Sequence, residues 1–256
     1  MRIMTSNIWG NYFGNPPMER IDAIEETLRK YSADIIGIQE MCPHWYEADL
    51  KGRLKDEYVF VGAFDGNHSP LFFKRDVFEL LESGWIRYTG VEDISKSVTW
   101  AVLEKKEDGK KIGICNTHLW WKAGEEHELI RENNARQLVG AMKDIKAKYG
   151  DIPVFACGDL NSTAEGKAMK YLNKNNVFSA YELADEFSEV SSNHGDPIRD
   201  ENGIYRGKRT TNDKTMSLDH VATFKGEIPI KKHMVVEDTL ILDASDHSPV
   251  YIDFEY

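Results

Sequence analysis

The chain is short of cysteine, of positive charge and of long apolar runs, and each shortage narrows what it can be. Its three cysteines, Cys42, Cys115 and Cys157, are too few and too far apart for a disulfide framework or a zinc knuckle. They read as buried free thiols of a reducing compartment. No apolar run approaches the ~20 residues that span a bilayer, and Met1-Arg2-Ile3 leads straight into a polar SNIWG segment without the apolar stretch of a secretory leader. A cytoplasmic location and no integral membrane segment are expected. Lysine and arginine number 32 against 43 acidic residues, a formal charge of -11. That balance argues against stable duplex-DNA binding, which calls for a cationic stripe. No lipid-seeking amphipathic hairpin, linker, repeat or low-complexity tract is visible, and nothing specifies a protein partner.

What is present is a chain that is 41% hydrophobic and 11% aromatic, long enough for one sizeable core, and we read residues 1–256 as a single domain. Residues 2–8 form a short apolar run. Met18, Ile21, Ile24 and Leu28 then recur at helical spacing after Pro16-Pro17, predicting a helix over 18–30. Ile35, Ile36, Gly37 and Ile38 make a buried strand closed by Gln39-Glu40. Further strands are predicted at 58–61, 70–74, 77–82, 97–104, 111–117, 152–157, 218–224 and 248–254, with a hairpin turn at Glu107-Asp108-Gly109-Lys110. Helices are predicted at 43–54, 125–148 and 165–173. The segment 185–216 is polar and aperiodic, and a loop of that length in a compact domain is more often a binding element than filler. Strands that alternate first with helices and later with each other predict an α/β class with helices on the outer faces.

Several apolar runs end in the same kind of group, one able to bind a hard cation or a phosphate. Asn7 follows Ile3 to Ser6, Glu40 follows Ile35 to Gln39, His118 follows Ile114 to Thr117, Asp159 and Asn161 follow Val154 to Gly158, and Asp246-His247 precede the last run. If these ends meet at one edge of the core, they make an oxygen-rich site with imidazoles beside it. Mg²⁺ prefers such oxygen ligands and needs only one or two carboxylates.

Taken together, S-N-I-W, Q-E, N-T-H-L, G-D-L-N, S-L-D-H and S-D-H-S-P-V resemble, in order from residue 7 to 250, the motifs of the endonuclease/exonuclease/phosphatase superfamily. The resemblance implies a DNase I-like four-layer sandwich, two mostly antiparallel sheets face to face with helices outside. It implies a Mg²⁺-dependent phosphoesterase, with Mn²⁺ as a substitute. Glu40 would be the principal metal ligand, with Asn7 and Asp246 beside it. Asp159 would orient or deprotonate the attacking water, and Asn161 would hold that water or a phosphoryl oxygen. His247 would contact the phosphate with Asp219 behind its ring, and His118 would be a second phosphate contact on the leaving side.

The sequence departs from that pattern in one place. Many relatives carry a glutamate before the strand corresponding to Pro70-Leu71-Phe72-Phe73, where it supports the T-H-L histidine; here stand Gly66-Asn67-His68-Ser69, with no nearby carboxylate except Asp65. His118 is therefore expected to be less basic, and Asn67 or His68 to reach substrate instead. Trp120 and Trp121 directly after His118 offer rings for stacking, and Arg131 and Arg209 are candidate contacts to an outer phosphate. His220, beside Asp219, is expected to point the other way and serve structure. The reading that results is hydrolysis of a phosphate ester on a small phosphorylated or single-stranded substrate. A DNA or RNA nuclease is the alternative; a phospholipid hydrolase and a non-catalytic phosphate-binding protein rank lower.

Overall fold

The computed structural model describes residues 1–63 and 66–256; Asp65 lies outside the described residues. In chain order the elements are β1 (Arg2–Asn7), α1 (Ile21–Tyr31), β2 (Ile35–Gln39), α2 (Pro43–Glu47), α3 (Leu50–Leu54), β3 (Tyr58–Val61), β4 (Leu71–Lys74), β5 (Phe78–Arg87), β6 (Ser97–Lys105), β7 (Lys111–His118), α4 (Glu125–Tyr149), β8 (Val154–Asp159), α5 (Lys167–Lys174), β9 (Val177–Ser179), α6 (Ala180–Leu183), β10 (Ala184–Phe187), β11 (Ile198–Arg199), β12 (Tyr205–Arg206), β13 (Asp219–Phe224), β14 (Ile230–Val235), α7 (Thr239–Leu242) and β15 (Val250–Phe254).

Two mixed sheets dominate, ordered β10-β14-β15-β1-β2-β4-β3 and β5-β6-β7-β8-β13-β9, and β11-β12 make a small hairpin. The pairs β1/β2, β10/β14 and β7/β8 are parallel, and the other pairings of the two large sheets are antiparallel. The alternation of strand side chains builds the layers. Ile3, Ile35, Phe73 and Ile252 of the first sheet meet Leu103, Ile114, Phe155 and Val221 of the second in one buried cluster. Their neighbours Met4, Ile36 and Phe72 face outward onto Ile24, Leu28, Trp45 and Leu50 of α1 to α3. Val102, Cys115 and Ala156 face Leu138, Met142 and Met169 of α4 and α5. The central strands are buried on both faces, which is why their sequences read as continuous apolar runs. The result is the α/β/β/α sandwich that the resemblance implied.

Some boundaries differ for local reasons. The helix expected over 43–54 is broken into α2 and α3 because Asp49 adopts a left-handed conformation (φ 61°) and its carboxylate caps the second helix at Gly52 N. The helix expected over 18–30 begins as a short 3-10 turn at Pro17–Glu19 before α1. The long polar stretch 185–216 holds β11 and β12 and packs its Ser191-Ser192-Asn193-His194 segment against the last motif, with Ser248 N donating to Ser192 O at 2.7 Å.

Candidate active site

Strand register gathers the motif residues at one edge. In the parallel pair β1/β2, Asn7 stands opposite Gln39, so Glu40 follows beside it. In the parallel pair β7/β8, His118 stands opposite Asp159, and antiparallel β13 begins at Asp219 opposite the same Asp159. The two sheets are tied together just beneath. Gln39 Nε2 donates to Asn116 Oδ1 at 2.6 Å, and Asn116 Nδ2 donates back to Ile38 O and Pro70 O at 2.8 and 2.7 Å. The Q of Q-E and the N of N-T-H-L are thus an inter-sheet clamp. Gly158 of G-D-L-N is required by close approach: its φ is +153° and a Cβ there would lie 2.0 Å from Thr117 O.

The chain turns sharply at three of these ends. Trp9, Glu40 and Asn161 all have positive φ (56°, 61° and 46°) after β1, β2 and β8, at a cost of about 1–3 kcal/mol each that the surroundings must offset. Arg20 does much of that holding. Its buried guanidinium donates to Ile8 O, Trp9 O, Asn15 O and Ala244 O at 2.6–3.0 Å and lies over the Trp9 and Trp45 rings. It thereby joins the segment after Asn7 to the one that carries Asp246; burial lowers its pKa to about 10.

Within this frame His247 Nδ1 meets Asp219 Oδ2 at 2.6 Å, both side chains almost fully buried. Burial opposes charge on the ring, but Asp219, Asp246 and Asp159 together raise its pKa well above 6.5. His247 is therefore an imidazolium at neutral pH. Its Nε2 sits 2.7 Å from the Asn193 amide and 3.9 Å from both Asp159 Oδ2 and Asp246 Oδ2. The group facing the ring is Asn193 Nδ2, while Asn193 Oδ1 accepts from Gly195 N at 3.2 Å. Asp159 accepts from Asn161 N at 2.8 Å and Asn7 Nδ2 at 3.0 Å. Burial, reinforced by Asp219, lifts its pKa to about 6. Burial lifts Asp246 to about 7, with Glu40 and Asp196 adding to the effect against His247.

His118 behaves oppositely. Burial, Lys96, His247 and His68 push its pKa well below 6.5, so the ring is neutral. Asn161 Nδ2 donates to its Nε2 at 3.0 Å, Asp159 Oδ2 lies 3.4 Å away, and Lys96 Nζ lies 3.2 Å from Nδ1 and 3.0 Å from Nε2. A lysine therefore abuts the T-H-L histidine, where many relatives carry a glutamate to support it. The less basic His118 expected from the sequence is what the surroundings produce.

Other expected contacts fall differently. Asn67 is fully buried and spends its amide on Thr99 Oγ1 and Ser69 N, so it holds a loop instead of reaching substrate. His68 is at the rim, its Nδ1 3.1 Å from the Tyr12 hydroxyl. Trp120 is buried and donates its indole N–H to His127 Nδ1, whereas Trp121 is 56% exposed with Lys122 over its ring. Arg131 lies on the buried face of α4, pairs with Glu128 and donates to Trp120 O and Lys122 O; it is a structural residue. Arg209 lines a separate depression with Glu237, Thr239 and Leu242. Asn7 points its Nδ2 at Glu40 Oε1 (3.2 Å) and Asp159, while its Oδ1 accepts from Trp9 N. In this arrangement its amide nitrogen bridges two carboxylates. His220 Nε2 donates to Ser162 O at 2.9 Å within the core, away from the His247 pair. Lys96, Asn193 and Arg20 were not anticipated, nor was buried His194, whose backbone N–H holds Asp246 O at 2.9 Å.

The donor set suits a hard divalent ion. Three carboxylates, Asp159, Asp219 and Asp246, crowd round one imidazolium, two of them forced toward protonation, and Asp219 Oδ1 is buried without a hydrogen-bond partner among the described residues. Ligand atoms of Asp159, Asp219 and His247 lie within 4.8 Å of one another, a buried cluster able to coordinate such an ion.

This fold and site define a metal-dependent hydrolase of phosphate esters. Residues 4–247 match the Endonuclease/Exonuclease/phosphatase family, and the chain belongs to it. Among solved structures it is similar to an endonuclease/exonuclease/phosphatase from Bacteroides vulgatus (22% identity, TM-score 0.78, 99% of this chain and 98% of that one). It also resembles the mannosyl-6-phosphatase of Bacteroides thetaiotaomicron (18%, 0.78, all of both chains) and the human Nocturnin catalytic domain with bound sulfate (21%, 0.75, 100% and 94%). A curated relative, the carbon catabolite repressor protein 4 homolog 3 of Arabidopsis thaliana, is 26% identical over 151 residues, 57% of this chain. The match spans only 33% of that protein's length.

Proposed function

We propose that the chain hydrolyses phosphate esters of a small or single-stranded substrate in a Mg²⁺-dependent reaction, with Mn²⁺ able to substitute. The observation that carries this reading is a charged His247 held 3.9 Å from a carboxylate, Asp159, whose pKa of about 6 suits a base at neutral pH. Of the groups able to hold a divalent ion we assign Glu40 and Asp246 in preference to the Asp159, Asp219 and His247 cluster, because His247 is committed to Asp219 and positively charged, which disfavours a cation on its ring. A divalent ion there would offset charge on the phosphoryl oxygens.

The chain's own groups do the rest. Asp159 accepts a proton from water as the water oxygen bonds to phosphorus and the ester P–O bond breaks in line, its electron pair leaving with the ester oxygen, which takes a proton from solvent; Asn161 fixes that water; His247 donates a charge-assisted hydrogen bond to a phosphoryl oxygen. Exposed Trp121 offers a face for an aromatic or sugar group, and the similarity to a mannosyl-6-phosphatase puts sugar phosphates among the substrates worth testing. The deciding experiment is a panel run with Mg²⁺ and with chelator: p-nitrophenyl phosphate, its bis ester, sugar and inositol phosphates, sphingomyelin, and single- and double-stranded oligonucleotides. Chelator-sensitive turnover of small esters that disappears in His247→Ala is the expected result. Hydrolysis of duplex DNA alone, or equal rates in the variant, would overturn the reading.

A further inference from the structure

Lys96 buries its side-chain nitrogen with no ion pair to a carboxylate among the described residues. It stands immediately before β6, fixed by a turn in which Lys96 N donates to Asp93 O and Ser95 N and Oγ donate to Asp93 Oδ1, and its own carbonyl accepts from Tyr88 N. The residue is 4% exposed, and among the described residues no carboxylate lies within ion-pairing distance of Nζ. Its polar neighbours are the two nitrogens of His118, at nearly equal distances of 3.2 and 3.0 Å. A neutral imidazole has a single acceptor nitrogen, so the ring takes at most one of the three N–H groups. Burial lowers the lysine pKa and Glu40, Asp93 and Asp159 act to raise it, all at distances longer than a salt bridge. A desolvated cation is costly unless something negative pairs with it, and the opening beside His118 and Asp159 is where a phosphoryl group would come in.

We propose that Lys96, packed against the His118 ring, is an anion subsite for the non-bridging phosphoryl oxygens and makes the enzyme favour dianionic phosphomonoesters over monoanionic diesters. The inference rests on the proposed phosphoesterase reading and deepens it. A diester carries one negative charge, which the charged His247 already meets. A monoester brings a second, and Lys96 receives it with a charge-assisted hydrogen bond.

The test compares wild type, Lys96→Met and Lys96→Arg on p-nitrophenyl phosphate and bis-p-nitrophenyl phosphate with Mg²⁺, together with inhibition by inorganic phosphate. Lys96→Met should lose about 10- to 100-fold in kcat/KM on the monoester, the scale of one hydrogen bond to a charged group, but less than about 3-fold on the diester. Lys96→Arg should recover most of the monoester activity, and phosphate inhibition should weaken in Lys96→Met by a similar factor. Equal losses on both esters, or none on the monoester, would overturn the subsite while leaving the phosphoesterase reading intact. If wild type turned over neither ester, that reading would fail, and protection against thermal unfolding by inorganic phosphate, in wild type against Lys96→Arg and Lys96→Met, would still decide the subsite. Unchanged protection in a folded variant counts against it.

Discussion

Replacing Asp219 by Asn probes the pair on which charge at His247 depends. The side chains are nearly isosteric, but the 2.6 Å bond to Nδ1 would no longer join opposite charges. The His247 ring is buried, so without that carboxylate desolvation dominates and its pKa falls from well above 6.5 toward or below it. At pH 7.5 the variant would lose most of its imidazolium, and with it one charge-assisted contact to the phosphoryl group. Losing a preorganised donor of this kind costs about 10²- to 10³-fold in kcat, or ~2.7–4 kcal/mol. The basic limb of the kcat/KM profile should move to lower pH by at least about one unit. Stability carries the same signature with a definite sign. Because the folded pKa of His247 is raised, the pair stabilises the fold fully below the unfolded value of about 6.5 and that contribution is lost as pH rises through the folded value. The gap in unfolding free energy between wild type and variant should therefore narrow from pH 6 toward alkaline pH in urea titrations. A variant with wild-type kcat and an unmoved basic limb would refute the reasoning.

Asp159→Asn should stay folded and lose at least about two orders of magnitude in rate, and the wild-type acid limb should fall near pH 6, where Asp159 takes up its proton; stopped assays across pH 5–8 check both. Asp246→Asn removes a carboxylate held near pH 7 by burial and crowding, so it should raise the thermal midpoint in chelator while abolishing the midpoint increase that Mg²⁺ gives wild type. Because Asp246 must lose its proton to bind a cation, the Mg²⁺ concentration for half-maximal activity should rise as pH falls through 7. Arg20→Met leaves four backbone carbonyls short of a donor, and at about 1–3 kcal/mol for a buried group left unsatisfied urea unfolding should show a loss of more than about 3 kcal/mol.

The strand ends were legible because each combines two signals, a continuous apolar run and a residue whose chemistry has no use inside a core. Register then does what the sequence only suggested: parallel pairing places Asn7 beside Glu40 and His118 beside Asp159. What sequence does not display is burial conferred by other parts of the chain. Lys96 and Arg20 look like ordinary surface cations and are enclosed only when loops fold over them. Asn193 and His194 sit in an aperiodic stretch whose register against the last motif comes from Ser192 and Ser248. Arg131 could have been placed correctly, since it shares a helical face with Asn134, Leu138 and Met142, all buried in α4. The direction in which Asn7 points is set by Trp9 N, one residue beyond the motif.

Anomalous diffraction from crystals soaked in Mn²⁺ and inorganic phosphate tests the central arrangement most directly. A manganese peak in contact with Glu40 and Asp246, and a phosphate between His247 Nε2 and Lys96 Nζ with Asp159 facing its phosphorus, is the predicted map. Manganese on the His247 ring, or phosphate bound away from these side chains, would contradict it.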